Sequence, residues 1–191
     1  MLYEYDTIMD EDSKPEPRKR VTPAPGMYRG PHPPSPPRKE VLQLVSHLPT
    51  VGYVTRNPTG YVFLDLDDEW IFSLQGIMEK FGYEVPPYFY GGQAVGAHIS
   101  ILPAAFGNDY QDTDVEVGRK INFQVKEARA FFPRYRWYGT EAVYMIFIES
   151  RELDNVLKGF NEPDYDGPAY GGFHIVVGIR TLETRDKMVG K

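Results

Sequence analysis

Apolar positions along this chain alternate between two periods, and they do so twice in the same order. Tyr61-Val62-Phe63-Leu64, behind the turn signal Asn57-Pro58-Thr59-Gly60, predicts a strand over 61–66. Trp70, Ile71, Leu74, Ile77, Met78 and Phe81 then fall at i, i+1, i+4, i+7, i+8 and i+11, a single helical stripe. Asp67 or Asp68 is placed to cap that helix, and Gly82 ends it. A short strand, His98-Ile99-Ser100-Ile101, closes this passage before Pro103. The plan recurs from Tyr144-Met145-Ile146-Phe147-Ile148, within a predicted strand 141–148. A helix follows with Ser150 as N-cap and Leu153, Val156, Leu157 and Phe160 at i, i+3, i+4 and i+7. His174-Ile175-Val176-Val177 opens the last strand, 174–179. Each passage carries a Tyr-Gly-Gly loop before its histidine strand, Tyr90-Gly91-Gly92 and Tyr170-Gly171-Gly172. Between the passages, 121–125 alternates as a strand and 128–132 extends or follows it, while 41–45 reads as a short strand or helical turn. This order predicts an α+β domain of two similar, mainly antiparallel halves around a shared cleft.

The first forty residues follow another rule. Nine of the 17 prolines lie before Val41, and proline fixes φ and removes an amide donor, so neither helix nor ladder propagates there. Residues 1–40 therefore read as a disordered or polyproline-II arm, and 41–191 as the folded domain. Arg18-Lys19-Arg20 and the stretch Pro31-His32-Pro33-Pro34-Ser35-Pro36-Pro37 are candidate contacts, the second for a polyproline-binding partner. A solvated tail and a spacer are the plainer readings.

Composition removes several classes of chemistry. The chain of 191 residues has no cysteine, which excludes disulfides, zinc-thiolate sites and thiol catalysis. A net charge of −6 argues against electrostatic coating of nucleic acid, though a nucleotide or RNA end held in a pocket needs only local cations. With no apolar run of membrane-spanning length and no signal-like stretch near Met1, the expectation is a soluble, cytoplasmic protein without a membrane partner, a nuclear setting being left open.

Four histidines remain to be placed. His32 lies in the arm, and His47 stands before Pro49, where it caps or packs. His98 and His174 occupy equivalent positions of the two passages. Along an extended strand, residues i and i+2 share a face, so Ser100 stands beside His98, and Val176, Gly178 and Arg180 continue the face of His174. An imidazole on an otherwise apolar strand needs a partner or a wet cleft. Either ring alone reads as a satisfied structural histidine; two at matching positions point to an acid and a base on one substrate. No His-x-Glu or closely spaced histidine pair suggests a metal, and no Gly-x-Ser-x-Gly surrounds Ser100.

On these residues the chain resembles the two-histidine (2H) phosphoesterase superfamily, which includes RNA-ligase-like 2′,3′-cyclic phosphodiesterases. Its members carry two His-x-Thr/Ser-x motifs, one in each lobe of a bilobal fold. Gly96-Ala97-His98-Ile99-Ser100-Ile101 matches the motif in full; Gly172-Phe173-His174-Ile175-Val176-Val177 keeps the histidine and apolar flanks but has Val176 where the hydroxyl belongs. The likeness spans roughly residues 53–180 and extends to divergent, RNA-repair-like members. It implies two pseudo-symmetric lobes with helices outside and a metal-independent, cofactor-free phosphodiesterase acting on a cyclic phosphate or 2′-linked phosphodiester. The substrate would be an RNA end, an oligonucleotide or a cyclic nucleotide. His98 and His174 would be the acid/base pair and Ser100 a phosphate ligand. Arg180 is the candidate to replace the missing hydroxyl, a surface arginine being the alternative. Tyr90 and Tyr170 are candidates to stack on a base or simply to pack their loops, and Arg134 and Arg136 sit in a basic-aromatic stretch with the same two readings. The alternatives to an enzyme are a non-catalytic nucleotide-binding module and a scaffold whose arm recruits partners.

Overall fold

The computed structural model describes residues 34–86, 95–103, 116–133, 139–159, 167–168 and 171–184. The chain divides into Met1–His32 and Pro33–Lys191, and every described residue belongs to the second unit. Expectations placed on His32, Arg18-Lys19-Arg20, Tyr90, Arg134, Arg136 and Tyr170 therefore lie outside the described residues.

Seven strands form one curled antiparallel sheet, giving an α+β fold. In chain order they are β1 (Val51–Arg56), β2 (Val62–Asp65), β3 (His98–Leu102), β4 (Lys120–Asn122), β5 (Gln124–Phe131), β6 (Thr140–Glu149) and β7 (His174–Thr181). The helices are α1 (Arg38–Val45), α2 (Glu69–Phe72), α3 (Gln75–Lys80) and α4 (Arg151–Gly159). The spatial order β4-β1-β2-β3-β7-β6-β5 has an internal symmetry. Setting β4 aside, β1-β2-β3 mirrors β5-β6-β7, and the two triplets meet at β3 and β7. The ladder pair there is Ile99↔Ile175, the residue after each histidine.

Alternation sorts the side chains onto two faces. Val62, Leu64, Ile99, Ile146 and Ile175 join Val41, Trp70, Ile71, Leu74 and Leu153 in one core, so that face is covered by helices. The other face carries a smaller cluster of Val143, Met145, Phe147 and Ile179, with Phe131 and Val176 packed against it. Both histidines lie on this second face.

Several expectations need correction. The predicted helix across 70–81 is two short helices, because Ser73 Oγ donates to Glu69 O at 2.6 Å and the chain tightens into a turn around Leu74. Its apolar stripe is nonetheless buried from Trp70 to Met78, with Phe81 partly buried against the same core. β1 was not anticipated. Its buried positions are Gly52 and Val54, and a Cβ at Gly52 would stand 2.5 Å from Asp65 O, so close backbone approach replaces an apolar side chain there. The predicted strand 121–125 is split between β4 and β5, which lie at opposite edges of the sheet.

The boundary of the arm also moves. Residues 34–40, assigned to it, pack on the domain. Arg180 Nη1 donates to Pro34 O at 3.0 Å, Ser35 Oγ pairs with Tyr83 Oη at 3.2 Å, and Tyr144 Oη donates to Pro36 O at 3.0 Å. Proline carries no amide donor but keeps a carbonyl acceptor, and buried donors of the sheet use it. Val41 N–H then bonds Pro37 O at 3.1 Å to begin α1.

Candidate active site: two imidazoles across a local twofold

Each histidine is set by the same local construction. Leu66 N–H bonds Ala97 O at 3.0 Å, and Ile148 N–H bonds Phe173 O at 3.0 Å, fixing the residue before each ring to the neighbouring strand. His98 Nδ1 lies 2.8 Å from Gly96 O, and His174 Nδ1 lies 2.8 Å from Gly172 O. A carbonyl oxygen only accepts, so Nδ1 carries the hydrogen in both rings. Nε2 is then the ring nitrogen left to take up or release a proton in each case.

The pair Ile99↔Ile175 sets their mutual position. Antiparallel register about it places Ser100 across from His174 and Val176 across from His98. The two imidazoles are thus diagonal neighbours on one face, a relation that brings Cβ atoms within roughly 7–8 Å. Their charges sense each other. Burial pushes the His98 pKa below its ordinary value, a bond to Gly96 O opposes this, and repulsion from a charged His174 lowers it further. Burial likewise lowers His174, opposed by its bond to Gly172 O. His98 is half-buried, while His174 keeps 8% of its surface exposed.

Aromatic rings hold both imidazoles. Tyr61 and Phe63 meet the His98 ring edge-on at 5.8 and 5.7 Å between centroids and stack on each other at 5.2 Å. Phe147 lies 5.7 Å from His174 and carries the Arg129 guanidinium 4.5 Å above its own ring. Tyr61 Oη and Ser100 Oγ are 2.5 Å apart. Asp65 stands directly across from His98, its carboxyl raised by burial and by Asp68, against a lowering bond from Leu66 N–H. Tyr61, Phe63, Phe147, Asp65 and Arg129 were not identified as site residues from sequence. Their roles come from pairing across strands, which no local motif encodes. Among the described residues, no group of three or more His, Asp or Glu side chains is placed to hold a metal ion.

Arg180 does not join this site. On β7, Val176 pairs with Met145 but Gly178 pairs with Tyr144, so Val177 is an extra residue in the ladder. That bulge reverses the alternation, and Arg180 turns to the helix side. There it is fully buried, bonded to Glu141 Oε2 at 2.9 Å and to Phe81 O at 3.2 Å, with Tyr83 beneath its guanidinium at 4.7 Å. The period-two rule that placed it beside His174 holds only for an uninterrupted strand. His47 is exposed after α1. No helix among the described residues is long and apolar enough to cross a membrane.

Comparison with protein-family models, curated proteins and solved structures returned no match.

Proposed function

We propose that the protein is a metal-independent phosphodiesterase of the 2H type, opening a cyclic phosphate or 2′-linked phosphodiester at an RNA end, in an oligonucleotide or in a cyclic nucleotide. One observation carries this reading: two imidazoles, each held by Nδ1–H on the carbonyl two residues before it, share one sheet face across a local twofold. In this reading the halves β4-β1-β2-β3 and β7-β6-β5 are the two lobes. A phosphorus seated between the rings meets one neutral Nε2 and one protonated Nε2. The neutral nitrogen takes a proton from the attacking water as the new P–O bond forms. The protonated nitrogen gives its proton to the departing ribose oxygen as the old P–O bond breaks. The net reaction adds one water, and the two rings exchange protonation states. Ser100 Oγ donates to a non-bridging oxygen. Each proton transfer contributes roughly 10²–10⁴ in rate.

The alternative of a binding module rests on Val176, which puts an apolar side chain across from His98 where a donor would hold the phosphate. Both readings are tested by incubating the protein with 2′,3′-cyclic mononucleotides in EDTA and following the product by phosphorus NMR. Conversion to a single monophosphate isomer, lost in His98→Ala and His174→Ala, supports the enzyme. Binding without conversion supports the module, and neither binding nor conversion removes both.

A further inference from the structure

The twofold that relates the histidines is not obeyed by the groups around them, and the departure falls on one side. Across from His174 stands Ser100 and across from His98 stands Val176, so only the β2–β3 side offers a hydroxyl from the paired motif. That hydroxyl is already engaged, by Tyr61 Oη at 2.5 Å. Tyr61 is pinned from below by the turn that precedes β2. Asn57 Oδ1 accepts from Tyr61 N–H at 3.0 Å, Asn57 N–H donates to Tyr61 O at 3.0 Å, and Gly60 adopts φ 84° to make the turn possible. The ring is fixed from the side by Phe63 and His98. Such a hydroxyl is aimed, rather than free to wander over the face.

A phenol is a better hydrogen-bond donor than an aliphatic alcohol, since its pKa is near 10. Donation from Tyr61 Oη to Ser100 Oγ directs the serine's own hydrogen away from Tyr61, and chained hydrogen bonds strengthen one another. Resting on the phosphoesterase reading, we propose that Tyr61 is the positioning residue for Ser100, and that Ser100, so oriented, is the one hydroxyl of the paired motif that holds the substrate phosphate. The second half then contributes its imidazole and an apolar wall of Val176, Met145 and Phe147, with the Arg129 guanidinium over Phe147 and no second phosphate ligand from the motif. Tyr61 touches the phosphate only through Ser100.

The test measures dissociation constants for adenosine 2′-monophosphate, by calorimetry or NMR titration, for wild type, Tyr61→Phe, Ser100→Ala and the double variant. Tyr61→Phe keeps the ring that packs on His98, and a thermal melt establishes that each variant is folded. The expected result is a loss of roughly 3–10-fold for Tyr61→Phe, consistent with one neutral hydrogen bond, and a loss of roughly 10–100-fold for Ser100→Ala. The double variant should bind no more weakly than Ser100→Ala, because the tyrosine acts through the serine. Wild-type affinity in Tyr61→Phe, or additive losses in the double variant, would overturn the relay while leaving the phosphoesterase reading in place. Absence of binding by the wild type would instead remove that reading and the relay with it.

Discussion

The half of the sheet that bears His98 and the half that bears His174 share a backbone plan and differ in chemistry. In each, the strand before the helical passage pairs antiparallel with the histidine strand, and an amide in it or just beyond its end fixes the residue ahead of the ring. Pairing relates Leu64 to Ile146, since these stand across from Ile99 and Ile175. The surrounding positions then compare as Asp65 with Phe147, Phe63 with Met145 and Ser100 with Val176. At these three positions the first half bears a carboxylate, an aromatic ring and a hydroxyl and the second only apolar side chains, Arg129 over Phe147 being the charged group nearby. Both β2 and β6 are inner strands buried on both faces; β6 stays so over nearly its whole length, whereas β2 is short and ends at Asp65. The difference teaches that the repeated scaffold supplies the placement of two rings, while the hydroxyl and carboxyl groups beside them lie on one side.

The comparison can be broken most strongly at the rings. If the rings are the acid and base of a phosphodiesterase, His98→Ala and His174→Ala should each lower kcat/KM by roughly 10²–10⁴, since each proton transfer then loses its own group. Equal effects on the two sides would show that the symmetry extends to chemistry, and a variant that keeps full turnover would exclude its ring.

A second probe addresses the second half alone. Arg180 and Glu141 form a buried pair that also ties Pro34 and Phe81 to the sheet. Arg180→Met should cost about 3–5 kcal/mol in urea unfolding, since it leaves a buried carboxylate uncompensated, and Arg180→Met with Glu141→Leu should recover most of that loss. Phosphate binding by the single variant, measured where it remains folded, should match wild type.

The glycines that accept from the imidazoles give a smaller contrast. Gly96 has φ 71°, and a Cβ there would meet Asp68 Oδ1 at 2.6 Å, the oxygen that also accepts from Ala97 N–H. Gly172 lies outside that region, and its Cβ would come no nearer than 3.8 Å to Phe147. Gly96→Ala should therefore destabilise by roughly 1–3 kcal/mol and Gly172→Ala by much less, as read from paired thermal melts.

The smallest effect is with pH. Both rings sit below the ordinary 6.5, so proton sharing between them is greatest on the acid side, and the kcat/KM profile should be a bell that declines before 6.5 is passed. For stability the sign follows from the same shifts. Burial favours the neutral rings, so their contribution is intact above 6.5 and is lost as pH falls through the lower folded values. Removing either histidine should flatten that acid limb of the unfolding free energy.

Much of the frame was legible because it is written locally. The helical stripe from Trp70 to Met78, the turn before Tyr61, the cap at Ser150 and the alternation around both histidines depend only on near neighbours in sequence, and each is found in place. What failed depends on ladders. Tyr61 and Tyr144 open matching apolar runs in the sequence, yet the pairing that relates Leu64 to Ile146 relates Tyr61 to Val143 and turns Tyr144 to the helix side, where it bonds Pro36 O. A shift of one residue exchanges the faces of a strand. The bulge at Val177 did the same to Arg180. Residues 34–40 depart from the arm pattern because proline, though it lacks an amide donor, offers its carbonyl to buried Arg180 and Tyr144. Tyr144 remains a donor through the working pH range, as burial and its neighbour Tyr83 push its pKa up to about 12 against a lowering influence of Arg38.

The most direct test of the paired imidazoles is turnover of a 2′,3′-cyclic mononucleotide in EDTA by the double variant His98→Ala with His174→Ala, set against each single variant. Two rings acting as one unit predict that the double variant is scarcely slower than the worse single one. Losses that multiply, or a single variant that turns over like the wild type, would contradict the account.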